Sequence, residues 1–368
     1  MTQPQVLSDL FFLMLFGGTA MASIIGCLYL LLTKGNAFAT DVTPPVRLRH
    51  WAAAYFAVSF LEHIWWLLFY LYSGDIHSVT YGVICVLDCI LMMGTITGTL
   101  FAMLQDRKRP IWPILIATTP YMVLLGLGIV YPNSLFLNIA IIYILLLFLF
   151  FTVYMVLSVK QYGRWLRDNY ADLEHKEVMQ SNLLIIVFSL FVIFYGLAEN
   201  TVTSYLVQFI GLALFGLLLW RVETLQQLDE AATQEEEEMP KEPEEVAPST
   251  DPYGIGQLLE RRCEEAQLYL QHDLSLSQLS QTIGTNHYYL SQYFTQQGLT
   301  YNAYINGLRI RHFIHLYHEA VAARRTFTAQ QLANESGFRS YSTFSAAFKQ
   351  RMGQTVTAWM RNTGKEEN

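Results

Sequence analysis

Long apolar segments, separated by short polar ones, dominate the first 220 residues of the chain. Each is close to the roughly 20 helical residues needed to cross the hydrocarbon core of a bilayer. The pattern predicts a bundle of seven membrane-spanning helices. We place them near Leu10–Leu32, Trp51–Tyr72, Tyr81–Leu104, Ile111–Tyr131, Leu135–Val159, Asn182–Leu197 and Val202–Trp220. Only four residues separate the last two, which could also form one long buried hairpin.

The pattern changes after residue 254, where short amphipathic segments alternate with turns. The sequence Ser275-Leu276-Ser277-Gln278 recurs 53 residues later as Thr328-Ala329-Gln330-Gln331. A hydroxyl side chain followed three residues later by Gln is a capping box, which satisfies free amides at a helix start. Gly284 and Gly337 follow at the position expected for a turn. Each copy therefore predicts a short helix that ends at a glycine.

A second short helix follows each glycine, capped by Asn286 in the first copy and by Ser340 in the second. Its apolar face consists of Leu290 and Phe294 in the first copy and of Phe344 and Phe348 in the second. Helix, turn and helix form the helix-turn-helix unit, whose second helix enters the DNA major groove. The complete chain is thus predicted to be all-α, with a transmembrane bundle followed by a tandem helix-turn-helix domain.

An amphipathic helix near Tyr301–Ala323 connects the two copies. Its predicted core-facing residues are Leu308, Ile310, Phe313, Leu316 and Tyr317. A rigid connector could hold both second helices on one face of a duplex. Because successive major grooves are about 34 Å apart, we expect the DNA to bend to meet both of them.

Composition supports a membrane protein, since 53% of the residues are hydrophobic and only 14% are charged. A soluble domain carries roughly a quarter charged residues. The charge balance also differs between regions of the chain. Residues 222–253 contain one basic and eleven acidic side chains, and residues 254–368 contain eleven basic and eight acidic ones. We therefore predict a transmembrane domain over 1–221, an acidic flexible linker over 222–253 and a DNA-binding domain over 254–368. The linker could be a plain spacer, or it could compete with phosphates for the basic domain.

Basic residues in alternate loops predict the orientation. The first, third and fifth loops contain Lys34, Arg47, Arg49, Arg107, Lys108, Arg109, Lys160, Arg164, Arg167 and Lys176. The N-terminal stretch and the second, fourth and sixth loops contain no Lys or Arg. Positive charge marks the cytoplasmic side, so we expect the N-terminus outside and the C-terminal domain in the cytoplasm. No basic stretch precedes the first apolar segment, so no cleavable signal peptide is expected.

Three ionisable residues lie within the predicted spans: Glu62 and His63 in the second, and Asp88 in the third between Cys85 and Cys89. Charges at this depth cost about 3 kcal/mol or more, so such residues usually have partners inside the bundle. They could form hydrogen bonds that only fix packing, or a ligand or proton site. A metal site has weaker support, because the two cysteines lack a second cysteine or histidine cluster, and we expect no metal or cofactor.

Small residues at four-residue spacing, Gly94 and Gly98 with Gly18, Ala22 and Gly26, allow close helix packing. They can serve packing within the chain or a homodimer. The predicted outer loops are only a few residues long. A signal would therefore enter the bundle as a ligand, come through the lipid, or come from a membrane partner protein.

Residues spread over both copies match the signature of a known family. In the second copy they are Leu332-Ala333, Gly337-Phe338, Ser340, Phe344-Ser345, Phe348-Lys349, Gly353, Thr355 and Arg361. In the first copy and the connecting helix they are Leu279, Gly284, Leu290-Ser291, Phe294, Tyr304 and Arg309-Ile310. Residues 255–361 therefore resemble the DNA-binding domain of AraC-family transcription regulators. Val356 stands where that family usually has proline, and Phe313 and Ser280 stand where it usually has alanine.

The resemblance implies contacts to double-stranded promoter DNA. Base edges would be contacted by Tyr288, Ser291 and Gln292 in the first copy and by Tyr341, Ser342 and Ser345 in the second. The expected phosphate contacts are Arg309, Arg311, His312, Lys349 and Arg351. The chain also resembles bacterial regulators with a multi-span membrane region before such a domain, which implies a multi-pass protein of the inner membrane.

Other functions find little support in the sequence. It contains no GxSxG elbow, HExxH motif, P-loop or paired catalytic carboxylates, so no enzyme activity is predicted. A transporter or intramembrane enzyme with an appended DNA-binding domain would leave the tandem copies unexplained. We therefore predict a membrane-bound transcription regulator whose bundle senses a membrane or extracytoplasmic signal. The alternative is a membrane-stored regulator released by proteolysis in the linker.

Overall fold

A computed structural model of the chain describes residues 9–33, 36–40, 42–72, 78–131, 134–176, 181–196, 201–228 and 254–366. In these residues the only β-type pairing is an isolated bridge between Tyr170 and Ser275, which confirms the predicted all-α class. The chain divides into two compact units, residues 1–162 with 178–228 and residues 163–177 with 229–368.

The first unit is built from long apolar helices. They are α1 (Leu10–Leu32), α2 (Val46–Tyr72), α3 (Val79–Met103), α4 (Trp112–Ala117), α5 (Thr119–Val130), α6 (Ser134–Asn169), α7 (Ser181–Gly196) and α8 (Thr201–Thr224). Residues 163–169 of α6 belong to the second unit. In α5, Pro120 lies in the first turn, where its missing N–H and its ring force a break from α4.

Six segments in the described residues are long and apolar enough to cross a membrane. They are Leu10–Leu32, Val46–Tyr72, Val79–Met103, Trp112–Val130, Leu135–Asn169 and Val202–Thr224. These helices are compatible with a multi-pass membrane protein. The predicted span near Asn182–Leu197 corresponds to α7, whose apolar part, Leu183–Val192, is shorter. The count of seven spans therefore stays a prediction.

Three of the small-residue positions are covered within the chain. A Cβ atom added at Gly98 would lie 2.4 Å from the Trp51 ring, and one at Gly94 would lie 3.7 Å from Leu115. A Cβ atom added at Gly26 would lie 3.2 Å from the Phe56 ring. These glycines thus allow helices of the same chain to pack closely.

The end of α8 is anchored in the first unit. Glu223 is fully buried. It accepts hydrogen bonds from the Tyr29 hydroxyl at 2.5 Å and from the Ala37 amide at 3.0 Å. Leu225 and Leu228 are also buried. The predicted linker boundary at residue 222 is therefore corrected, because residues 222–228 pack in this unit; residues 229–253 lie outside the described residues.

The second unit consists of short helices around two hydrophobic cores. They are α9 (Ile255–Leu259), continued by a π-helical turn (Glu260–Glu264), then α10 (Leu276–Ile283), α11 (His287–Gln296), α12 (Tyr301–Ala322), α13 (Ala329–Glu335), α14 (Tyr341–Met352) and α15 (Val356–Glu366). Helix α12 supplies Tyr301, Ile305 and Leu308 to the first core. It supplies Ile310, Phe313 and Tyr317 to the second, and so contributes to both cores.

Candidate nucleic-acid interface

Both predicted capping boxes are formed. At the start of α10, the Gln278 amide donates to Ser275 Oγ at 3.2 Å, and the Ser275 amide donates to Gln278 Oε1 at 3.1 Å. At the start of α13, Gln331 and Thr328 make the same two bonds at 3.1 and 2.9 Å. Each box satisfies two amides that a helix start leaves free, so both helices begin at the predicted residues.

The two turn glycines have positive φ angles, +78° at Gly284 and +91° at Gly337. L-residues rarely adopt this conformation. At Gly337 an added Cβ would also lie 2.8 Å from the Leu270 Cα atom. The chain therefore needs glycine here both for the turn and for the close approach of the segment before α10.

Helices α11 and α14 bury one face and expose the other. Asn286 caps α11 by accepting from the Tyr288 amide at 2.8 Å, and Ser340 caps α14 by accepting from the Thr343 amide at 3.3 Å. The predicted apolar faces are confirmed, because Leu290, Phe294, Phe344 and Phe348 are all buried. These contacts fix which face of each helix is available to a ligand.

The predicted base-contacting residues lie away from those buried faces. Gln292 and Ser342 are exposed, and Tyr288, Ser291, Tyr341 and Ser345 are partly exposed. In α11, positions 288, 291 and 292 follow the three- and four-residue spacing of one helix face. The accessible surface therefore contains all six, and their DNA contacts stay a prediction.

Burial argues against the predicted phosphate contact of Arg309, because its side chain is only 1% exposed. Its Nε donates to the Tyr269 carbonyl and its Nη2 to the Gln271 carbonyl, both at 2.7 Å. Its guanidinium also stacks on the Phe338 ring, 5.6 Å from the centroid. Burial lowers the pKa of Arg309, an effect that nearby Tyr301 and acidic groups partly offset. Arg309 thus connects the segment before α10 with Phe338, which precedes α14, through buried contacts.

The other predicted phosphate contacts stay accessible. Arg311 is exposed and pairs with Glu264 at 3.2 Å. His312 is partly buried, which lowers its pKa, and its Nδ1 lies 3.3 Å from the Tyr269 hydroxyl. Lys349 and Arg351 are exposed in the last turns of α14. These four side chains remain the predicted phosphate-binding set.

Sequence reasoning missed residues 163–177, which it assigned to the transmembrane domain. The structure groups them with the helix pairs, and Asn169 hydrogen bonds to His287, the first residue of α11. The apolar pattern ends near Val159, but α6 continues to Asn169. The sequence itself contains no signal that assigns residues 163–177 to the DNA-binding unit.

Two of the ionisable groups of the bundle, His63 and Asp88, form hydrogen bonds with different partners. His63 Nδ1 bonds the Ser59 carbonyl at 2.7 Å, and its Nε2 lies 3.4 Å from Gln208 Oε1. Asp88 instead accepts from the indole N–H groups of Trp65 and Trp66, at 2.9 and 2.7 Å. Glu62 is buried.

The described residues contain no group of three or more His, Cys, Asp or Glu side chains that could hold a metal ion. The bonds of Asp88 cross from α3 to α2, and the Nε2 contact of His63 crosses from α2 to α8. They support a packing role for these groups, while a ligand or proton site stays a prediction.

Comparison with known families yields one match. A family model described as a helix-turn-helix domain matches residues 279–362, which include most of α10 and all of α11 to α14. The match supports a DNA-binding transcription regulator of the AraC type and a partner in double-stranded DNA. No curated protein matches the chain, and no solved structure matches it.

Proposed function

We propose that this chain is a membrane-bound, sequence-specific transcription regulator that binds promoter DNA through two helix-turn-helix units, α10–α11 and α13–α14. Its apolar helices anchor it in the bacterial inner membrane, with the DNA-binding unit in the cytoplasm. In this proposal the bundle detects a membrane or extracytoplasmic signal and changes how the second unit engages DNA.

This proposal depends on the repeated geometry of the two helix pairs. Each pair has a capping box, a positive-φ glycine and a second helix with an exposed polar face. Helix α12 contributes to both cores, so it limits the relative movement of the two pairs. A rigid pair of recognition helices suits two successive major grooves. The family match covers parts of both pairs.

DNA selection tests the proposal directly. The full chain in lipid nanodiscs is incubated with a library of random-sequence duplexes, and bound DNA is recovered and sequenced over several rounds. We expect enrichment of a motif with two half-sites about 10 base pairs apart. Binding should weaken with salt, because basic side chains displace counterions from the phosphates.

Empty nanodiscs are the control for adsorption to lipid. Recovery of unselected sequences at every round would contradict the proposal. Immunoblotting of cell membranes with an antibody to the C-terminus distinguishes the membrane-bound form from a regulator released by cleavage in the acidic segment. We expect full-length protein when the target promoter is occupied; a soluble C-terminal fragment would favour release.

A further inference from the structure

In the sequence, residues 163–177 lie between two predicted spans, Leu135–Val159 and Asn182–Leu197, and in the structure residues 163–169 form the end of α6. By its contacts the segment of residues 163–177 belongs to the second unit. This assignment is unexpected, because about 80 residues separate it from the start of α9. Its contacts within the second unit indicate what it does there.

The backbone of this segment pairs with the strand-like residues before α10. Tyr170 forms an antiparallel bridge with Ser275, the N-cap of α10. The Ala171 carbonyl accepts hydrogen bonds from the side-chain amide of Asn302 at 2.7 Å and of Asn306 at 3.3 Å. Ala171 is fully buried in the first hydrophobic core. The segment therefore completes this core.

A side-chain contact connects the segment to the recognition helix of the first pair. Asn169 Oδ1 lies 2.9 Å from His287 Nε2, and both residues are buried. The Asn169 amide nitrogen donates to the Trp165 carbonyl at 2.9 Å, so its oxygen is oriented to accept from His287. The next residue along α11 is Tyr288, a predicted base contact. Asn169 thus holds the end of α11 that would approach the bases.

Charged side chains of the segment also interact with the rest of the second unit. Asp172 is 2% exposed and favours the charged form of the buried Arg309 guanidinium. Lys176 is also buried, and its Nζ pairs with Asp273 at 3.3 Å. Buried charges are unfavourable unless they have partners. Because Lys176 has its partner Asp273 in the second unit, undocking of the segment would break this ion pair.

We propose that residues 163–177 are a docking segment that completes the first helix-turn-helix and couples α6 to the recognition helix α11. The inference rests on the proposed function and specifies its regulation. Helix α6 is continuous from Ser134 to Asn169, so a rotation or shift of its apolar part reaches Asn169 and, through it, His287. In the second pair the equivalent position is Tyr341, whose ring packs on Phe344. The signal therefore acts on the first pair.

Hydrogen–deuterium exchange of the full chain in nanodiscs tests the docking. Asn169→Ala should speed exchange of the α11 amides by at least about fivefold, the effect of losing one buried hydrogen bond. Exchange in α14 should not change, which excludes a general loss of stability. Asn362→Ala, at an exposed position of α15, is the matched control and should leave α11 unchanged.

A double-mutant cycle adds a test specific to the contact. His287→Ala should speed α11 exchange as Asn169→Ala does, and the double variant should add little, because both remove one interaction. Additive effects, or equal α11 exchange in the wild type and Asn169→Ala, would overturn the docking contact.

DNA binding measured on the same samples distinguishes the docking from the proposed function. With a selected duplex we expect Asn169→Ala to change affinity when the first half-site is intact and to have no effect when that half-site is scrambled. An identical effect on both duplexes would overturn the coupling. If no duplex is selected but α11 exchange rises as stated, the proposed function fails while the docking stands.

Discussion

Replacing Arg309 with alanine should lower the stability of the second unit by about 3–5 kcal/mol, the range for breaking a buried charged network. The guanidinium binds two main-chain carbonyls in the segment before α10 and stacks on Phe338 in the second helix pair. Its removal leaves those carbonyls without a donor and opens a cavity between the two cores. Arg309→Lys should also be destabilising, because one ammonium cannot reproduce the planar fork of donors.

Pulse proteolysis in increasing urea, with an antibody to the C-terminus, measures this loss in the full chain in nanodiscs. Arg311→Ala is the control from the same helix. Its side chain is exposed and forms an ion pair with Glu264 at 3.2 Å, so its loss should cost less than about 1 kcal/mol. An unchanged urea midpoint for Arg309→Ala, combined with weaker DNA binding, would contradict the structural role. It would instead favour the predicted contact between Arg309 and a DNA phosphate.

Replacing Gln292 with alanine should lower affinity for the selected duplex by about 5- to 150-fold, corresponding to 1–3 kcal/mol for one bidentate base contact. Gln292 is exposed on α11, away from buried Leu290 and Phe294. The amide of glutamine can pair with two adjacent atoms on the edge of an adenine. Binding to unrelated duplexes should not change, because their affinity comes mainly from phosphate contacts.

Fluorescence anisotropy with the selected duplex and with a scrambled one gives both affinities. Gln297→Ala is the matched control, since Gln297 is the exposed C-cap residue of the same helix and should leave both affinities unchanged. Equal losses of affinity for the two duplexes would mean that Gln292 contacts the DNA backbone instead of a base. Unchanged affinities for both would remove α11 from the base-contacting surface.

Local interactions explain why the helix pairs could be predicted. A capping box joins residues three apart, so Ser275 with Gln278 and Thr328 with Gln331 determine helix starts without help from distant parts of the chain. The turn glycines and the spacing of Leu290 and Phe294 are equally local signals. The apolar segments could be predicted for a similar reason, because the ability of a helix to cross a membrane depends mostly on its own length and composition.

Long-range contacts explain what the sequence did not show. Arg309 and Arg311 look alike as neighbouring basic residues of an amphipathic helix. Arg309 is buried by carbonyls about 40 residues away, and only the folded chain brings them together. Similarly, Asn169 and His287 are 118 residues apart. No periodicity or composition shift marks residues 163–177 as part of the DNA-binding unit.

The side of the membrane on which the C-terminus lies is decisive, since a regulator attached to the membrane must present α11 and α14 to the chromosome. Two reporters are fused after Asn368, each to its own copy of the full chain. One is a green fluorescent protein, which becomes fluorescent in the cytoplasm; the other is an alkaline phosphatase, which becomes active outside it. The account predicts fluorescence from membrane-bound protein and an inactive phosphatase. An active phosphatase with no fluorescence would contradict it.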